Sequence, residues 1–350
     1  MKTYRETMDE LRFTEQEKEA MVDRLLERGG SRRKGLNLRC AAVAVAAAAV
    51  LTVGAGAAVV LTPAGEVFAS VLGGAPAQTE ILDWMGIPVG ASDTHNGVTI
   101  TADAIIGDAY SYAVVYSIAR EDGQPLAEDL EPLGNGVLPL TFDRADTSVG
   151  VTGGSSHGSA YFYDADPSEP SIQYVEKMTS DVPLEPGTAT ASFRNLYRMG
   201  KDFQDKIPVA EGKWKIRFQF SFPDSSVRLP GGQTFQLNGM EAVLDGVTIS
   251  PLSIQVDYTV KEELVWDNQS QENGRESEHD REQSYRFFES LPLSLNMADG
   301  STVDLSSLGG SIDPETGRTV CRKGGVFEEI LDLSTVESVT VAGITLPVTP

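Results

Sequence analysis

One uninterrupted apolar run, AAVAVAAAAVLTVGAGAAVVL from Ala41 to Leu61, holds twenty-one residues without a charge. At about 1.5 Å of helical rise per residue it reaches roughly 30 Å, the thickness of bilayer hydrocarbon. The run therefore predicts one transmembrane helix, placed at 40–61. Arg32, Arg33, Lys34 and Arg39 flank it on the N-terminal side, whereas the first basic residue beyond it is Arg120. That asymmetry orients the chain at the cell membrane with its N-terminus cytoplasmic and its C-terminal bulk extracytoplasmic. A cleaved signal peptide fits poorly, because its n-region would be 39 residues of mixed charge and its apolar core is usually only about 7–15 residues long. A buried helix of a soluble domain fits no better, since the run has no polar face.

The two sides of this run differ in charge. Residues 1–39 carry ten basic and eight acidic side chains, a net of +2, so the rest of a chain whose total is −23 carries −25. A broad nucleic-acid surface is excluded on that balance, because phosphate binding needs clustered cations. Cys40 and Cys321 fall on opposite sides of the expected membrane and do not pair, so no disulfide scaffold is expected. Cys40 precedes the apolar run, whereas a lipid-attachment cysteine would follow it.

Ahead of the span, Tyr4, Met8 and Leu11 recur at helical spacing, and after Phe13 and Thr14 a second set follows at Met21, Val22, Leu25 and Leu26. Thr14 with Glu17 forms a capping-box pattern, and Gly29-Gly30 supplies a stop. Two short amphipathic helices of this size bury too little apolar surface to offset the entropy of ordering themselves. Their stripes need a cover, either the inner membrane face or a protein partner docking on Met8, Leu11, Phe13, Met21, Leu25 and Leu26. The nearly balanced charge favours the protein, because lipid-binding helices carry a basic polar face.

Beyond the span, 62–95 reads as a juxtamembrane segment in which GEVFASVLGG has a helical pattern. Strand signals follow. GVTITADA (97–104) and KWKIRFQFSF (213–222) alternate apolar and polar residues, as a strand with one wet face does, while YSYAVVYSI (110–118) is continuous, as in a central strand. FPDSSVRLPGGQ breaks this block from a second one, which opens with DGVTISPLSIQVDYTV and closes with VESVTVAGITLPV. The GVTI at Gly97 recurs at Gly246, a slight hint of duplication. The expected fold is mainly β outside, as two β-sandwich-like domains at 96–228 and 235–350, with a short N-terminal helical segment at 1–39 and one transmembrane helix. Between 261 and 290 the polar stretch around QENGRESEHDRE reads as an exposed loop.

Catalytic signals are sparse. Gly154-Ser155-Ser156-His157-Gly158 fits the G-x-S-x-G pattern, but a nucleophile elbow needs a strand before it and a helix after it, and here strand-like AYFY follows. Three histidines, at 95, 157 and 279, have no metal-ligand spacing, and no calcium-loop order appears. The expectation is no enzyme, no metal and no cofactor.

The opening YRETMDELRFTEQEKEAMVDRLLE, the single span, GGAPAQTEILDWMGIPVGAS and NGVTITADAIIGDAYSYAVVYSI together resemble a Gram-positive family of single-pass membrane proteins. Its extracytoplasmic domain is of unknown function, and its members are similar to anti-sigma factors of extracytoplasmic-function sigma factors. The resemblance implies a sigma factor as the partner of the cytoplasmic helices and an envelope signal for the outer domains. Many anti-sigma factors carry a zinc-binding His and Cys motif, and residues 1–39 contain neither residue type. Gly54 and Gly56 weaken the span as a helix, which leaves open an intramembrane protease as a further partner. The competing expectation is a non-enzymatic anchored module that binds or supports the envelope.

Overall fold

Strands dominate the architecture because stretches such as GVTITADA and KWKIRFQFSF alternate apolar and polar residues between turn signals. The computed structural model describes residues 61–349 apart from 128–129, 134–135, 151–153, 201–204, 224 and 268–275. The expected cytoplasmic helices, and the expected span up to residue 60, lie outside these. All described residues belong to one unit, Leu51–Pro350. Among them no helix is long and apolar enough to cross a membrane.

Helix α1 (Ala64–Leu72) covers the GEVFASVL stretch and buries Phe68 and Leu72 completely. Helix α2 (Pro76–Met85) opens on a proline, whose fixed φ suits a first turn. Gly65 lets the helices touch: a Cβ there would sit 2.6 Å from Thr79 Cγ2, and its N–H donates to Asp83 Oδ1 at 2.6 Å.

Strands β1 (Gly86–His95), β2 (Val98–Gly107), β3 (Ser111–Arg120), β4 (Leu140–Ser148), β5 (Ser156–Tyr163), β6 (Ile172–Ser180), β7 (Gly187–Met199) and β8 (Lys206–Phe220) follow. They form two antiparallel sheets, ordered β1-β2-β3-β6-β5 and β4-β7-β8. Ile100, Tyr116 and Tyr174 from the first meet Phe142, Phe193 and Trp214 from the second in a common core. Trp214 Nε1 donates to Val98 O at 2.9 Å and Lys215 N to Asp93 Oδ2 at 2.7 Å, drawing β8 onto the β1–β2 hairpin.

A second set comprises β9 (Val227–Pro230), β10 (Thr234–Leu237), β11 (Met240–Ile249), β12 (Ser253–Val260), α3 (Glu278–Ser284), β13 (Leu293–Met297), β14 (Thr302–Asp304), β15 (Gly310–Glu315), β16 (Arg318–Val326), β17 (Val336–Val341) and β18 (Ile344–Pro347). Its sheets are ordered β10-β11-β12-β16-β15, with β9 added on β11, and β14-β13-β17-β18. Leu244, Val256 and Tyr258 pack there against Leu295 and Val339. The fold is thus mainly β in several sheets, consistent with sandwich-like domains.

One topology is used twice, with β1-β2-β3-β6-β5 facing β4-β7-β8 and β10-β11-β12-β16-β15 facing β13-β17-β18. The first three strands match in register. Asn96-Gly97 and Asn238-Gly239, all at positive φ, close the leading hairpins as tight two-residue turns. Asp103 and Asp245 sit at the same β-bulge, accepting from Ser117 and Thr259 hydroxyls. Tyr116 and Tyr258 are the buried aromatics one residue earlier on β3 and β12. In this register GVTI at 97–100 lies opposite GMEA at 239–242, so the four-residue echo is out of step with the repeat; turns and bulges carry the likeness.

Three local readings need correction. The segment 62–95 already contains β1, an edge strand of the first sheet, which GIPVGASDTH does not announce because it lacks alternation. The break at 222–233 contains β9, which pairs with β11. The polar run up to 290 is not loop throughout: Ser277 caps α3 by accepting from Asp280 N, and a π-helical turn, Tyr285–Glu289, buries Phe287 and Phe288.

Candidate functional site

The helix pair lies on the outer face of the first five-stranded sheet. Phe68, Leu72, Leu82 and Met85 pack on Ala104, Ile106, Val115 and Val175, joined by Leu252 and Ile330 from the second repeat. Ile330 N donates to Leu72 O at 2.7 Å, tying α1 to that repeat. At the same junction two equivalent hairpin tips meet. Asp108, between β2 and β3, accepts from Tyr110 N (2.9 Å) and Ser111 N (2.7 Å) of its own turn. It also accepts from the Ser250 and Ser253 hydroxyls, the latter at 2.6 Å, in the turn between β11 and β12. All three side chains are buried, so the junction is a packed interface with a satisfied carboxylate at its centre.

Beside it opens a groove of about 940 Å³. Alternate residues of a strand share a face, so His157, Ser159, Tyr161 and Tyr163 of β5 form one column along it. Lys177 of β6 stands next to the column, α1 contributes Ser70 and Val71, and glycine-bearing backbone at 309 and 324–325 forms the wall from the second repeat.

The polar groups here are poorly satisfied from within the protein. Lys177 is only 7% exposed, and its Nζ has two long contacts, 3.5 Å to Val71 O and 3.4 Å to Phe327 O. Burial pushes its pKa down, while the nearby Glu328 carboxylate acts the other way. His157 Nε2 lies 3.1 Å from Gly324 O. A carbonyl only accepts, so Nε2 carries a proton; the other ring nitrogen, Nδ1, is buried and has no partner. Asp164 Oδ1 is buried and unpartnered as well. The Tyr161 and Tyr163 rings lie 6.0 Å apart, the Ser70 hydroxyl donates to the Tyr163 hydroxyl at 3.3 Å, and burial raises the Tyr163 phenol to about 12. A neighbouring apolar cavity of about 500 Å³, lined by Leu126, Leu130, Pro132 and Pro170, shares Gly136 and Asp164 with the groove.

The partner-binding residues expected from sequence, Met8, Leu11, Phe13, Met21, Leu25 and Leu26, lie outside the described residues. The G-x-S-x-G stretch leads into β5, with Ser156 as its first residue and a strand, not a helix, after it. Cys321 is buried under the π-helical turn, and burial lifts its thiol to about 12. Among the described residues no group of three His, Cys, Asp or Glu side chains is placed to hold a metal ion. The one sequence signal for the groove was AYFY, in which Phe162 faces the core and the two tyrosines face away from it.

The chain matches no family model and no curated protein. Among solved structures it is similar to the crystal structure of the conserved domain protein from Bacillus anthracis, at 15% identity and a TM-score of 0.45, over 73% of this chain and 76% of that one.

Proposed function

We propose that the chain is a membrane-anchored regulator of the anti-sigma-factor type. Residues 1–39 hold an extracytoplasmic-function sigma factor through Met8, Leu11, Phe13, Met21, Leu25 and Leu26, the helix at 40–61 anchors the chain, and two β-sandwich-like domains outside receive an envelope signal. Release follows proteolysis, by an intramembrane protease, or a conformational change. One observation carries the reading. The groove, in which His157 Nδ1 and Asp164 Oδ1 lack partners, is walled in part by α1, and α1 begins at Ala64, three residues past the end of the expected span. A ligand in the groove therefore touches the element that leads to the membrane. Deleting residues 1–30 is expected to change transcription dependent on the bound sigma factor, and the intact chain, extracted in detergent, should retain that factor on affinity capture. Unchanged transcription would sink the regulatory reading. It would support the second reading, an anchored envelope-binding module, for which the groove alone suffices and the cytoplasmic segment is incidental.

A further inference from the structure

We infer that the groove beside α1 binds a short saccharide bearing a single carboxylate. This assignment rests on the reading of the groove as the signal site and supplies the chemistry of the signal. Lys177 is a buried ammonium with three donors, two of them spent on contacts of 3.4 and 3.5 Å, longer than the usual 2.7–3.2 Å, and no carboxylate among the described residues pairs with it. A buried cation whose carboxylate neighbour, Glu328, acts only from beyond ion-pair reach is costly, and a ligand carboxylate in direct contact is the group that relieves it. His157 Nδ1 and Asp164 Oδ1 are two buried polar atoms that lack partners. Ligand hydroxyls, which both donate and accept, meet these atoms, whereas an apolar ligand would leave both desolvated and unmet. Tyr161 and Tyr163 present neighbouring rings along one strand face, a platform for the C–H faces of successive sugar rings. The volume of about 940 Å³ lies near the top of the range for small-ligand sites, with room for more than one ring.

The repeat supplies an internal control. Through the pairings of β3 with β6 and β12 with β16, Lys177 corresponds to Gly324; through β5 and β15, Tyr161 and Tyr163 correspond to Ser311 and Asp313. The second copy of the fold stands without these side chains, so the fold itself does not demand them. A single negative charge is specified because the chain carries −23 overall and Glu328 stands in the groove lining, a field that repels a polyanion.

Calorimetric titration of the full chain in detergent, with cellobiouronic acid, cellobiose and trigalacturonic acid as probes, tests the assignment. Cellobiouronate is expected to bind at least tenfold more tightly than either of the others. Tyr161→Ala, at a part-exposed side chain whose loss leaves the fold intact by thermal melt, should weaken both disaccharides about tenfold. Lys177→Met should erase the preference for the acid. No heat with any sugar, equal affinity for cellobiose and cellobiouronate, or a Tyr161→Ala variant that binds like wild type overturns the proposal. Failure here with altered transcription on deletion of residues 1–30 rejects the ligand and keeps the regulator; binding without any transcriptional effect of that deletion rejects the regulator and keeps the ligand.

Discussion

Asp108→Ala removes the acceptor for four hydrogen bonds at once. Two of them hold its own turn, from Tyr110 N and Ser111 N, and two cross to the other repeat, from Ser250 and Ser253. A hydrogen bond to a charged group contributes about 1.5–3 kcal/mol net, and buried donors left unmet cost more than the mean. Contributions that share one acceptor overlap instead of adding, so the whole substitution is expected to cost about 3–5 kcal/mol, well under the simple total for four bonds, with about 2 from the pair crossing the junction. Ser250 also accepts from Leu252 N and Ser253 N at 3.0 Å, so its removal disturbs its own turn too. A double-mutant cycle cancels that local damage. Urea unfolding of wild type, Asp108→Ala, the Ser250→Ala and Ser253→Ala double variant, and all three changes together should give a coupling energy of about 2 kcal/mol. In thermal melts Asp108→Ala should lower Tm by roughly 6–20 °C, at about 2–4 °C per kcal/mol for a large domain. A coupling energy under about 0.5 kcal/mol would refute the claim that this carboxylate joins the repeats.

Burial holds the Asp103 carboxyl up at about 6 against its ordinary 3.8, so the native state pays to ionise it while the unfolded chain ionises freely near pH 4. Stability from this group is thus lost as pH rises through 4 to 6, and Asp103→Asn should be more stable than wild type by about 2–3 kcal/mol at pH 8 and level with it near pH 4; an equal difference at both pH values in urea melts contradicts this. Gly65→Val, which must displace Thr79 from a 2.6 Å approach, should open the helix pair, cost about 1–3 kcal/mol and expose the 73–75 turn to protease; unchanged proteolysis would count against it. In a Cys40→Ser background, Cys321 should resist thiol reagents until denaturant is added, and rapid labelling of the native chain would contradict its burial.

The strands that sequence made legible are those with one wet face. KWKIRFQFSF alternates because Trp214, Ile216, Phe218 and Phe220 enter a core while Lys213, Lys215, Arg217 and Gln219 meet water. GIPVGASDTH was illegible as β1 because an edge strand half covered by helices needs no strict alternation, and its pairing is fixed by the Asn96-Gly97 turn that follows. The π-helical turn hid inside a polar run because its two buried residues, Phe287 and Phe288, are consecutive and show no periodicity. The groove was illegible for a different reason. Its members lie on α1, β5, β6, β16 and the loops between them, and only the packing of the two repeats brings them together. Tyr161 and Tyr163 read as ordinary strand aromatics until the opposite face proved to hold the core.

The two repeats differ in what covers their outer faces, which is why YSYAVVYSI is continuously apolar and SIQVDYTV is not. Positions facing outward on β2, β3 and β6 are Ile106, Ala113, Val115 and Val175, and their counterparts on β11, β12 and β16 are Thr248, Gln255, Asp257 and Arg322. In the first repeat the helix pair covers that face, whereas in the second Arg322 approaches Asp257 and Asp313 at a part-exposed surface. The first sheet has therefore been fitted on both faces, one to its partner sheet and one to α1 and α2. Removing the helices would strip a sheet whose outer residues have no polar substitute, so the pair is a structural layer and not a tether. Since Phe68 and Leu72 are buried in that layer, a displacement of α1 carries them with it. It must disturb the apolar seam shared by both repeats, and the groove that α1 borders shares in that disturbance.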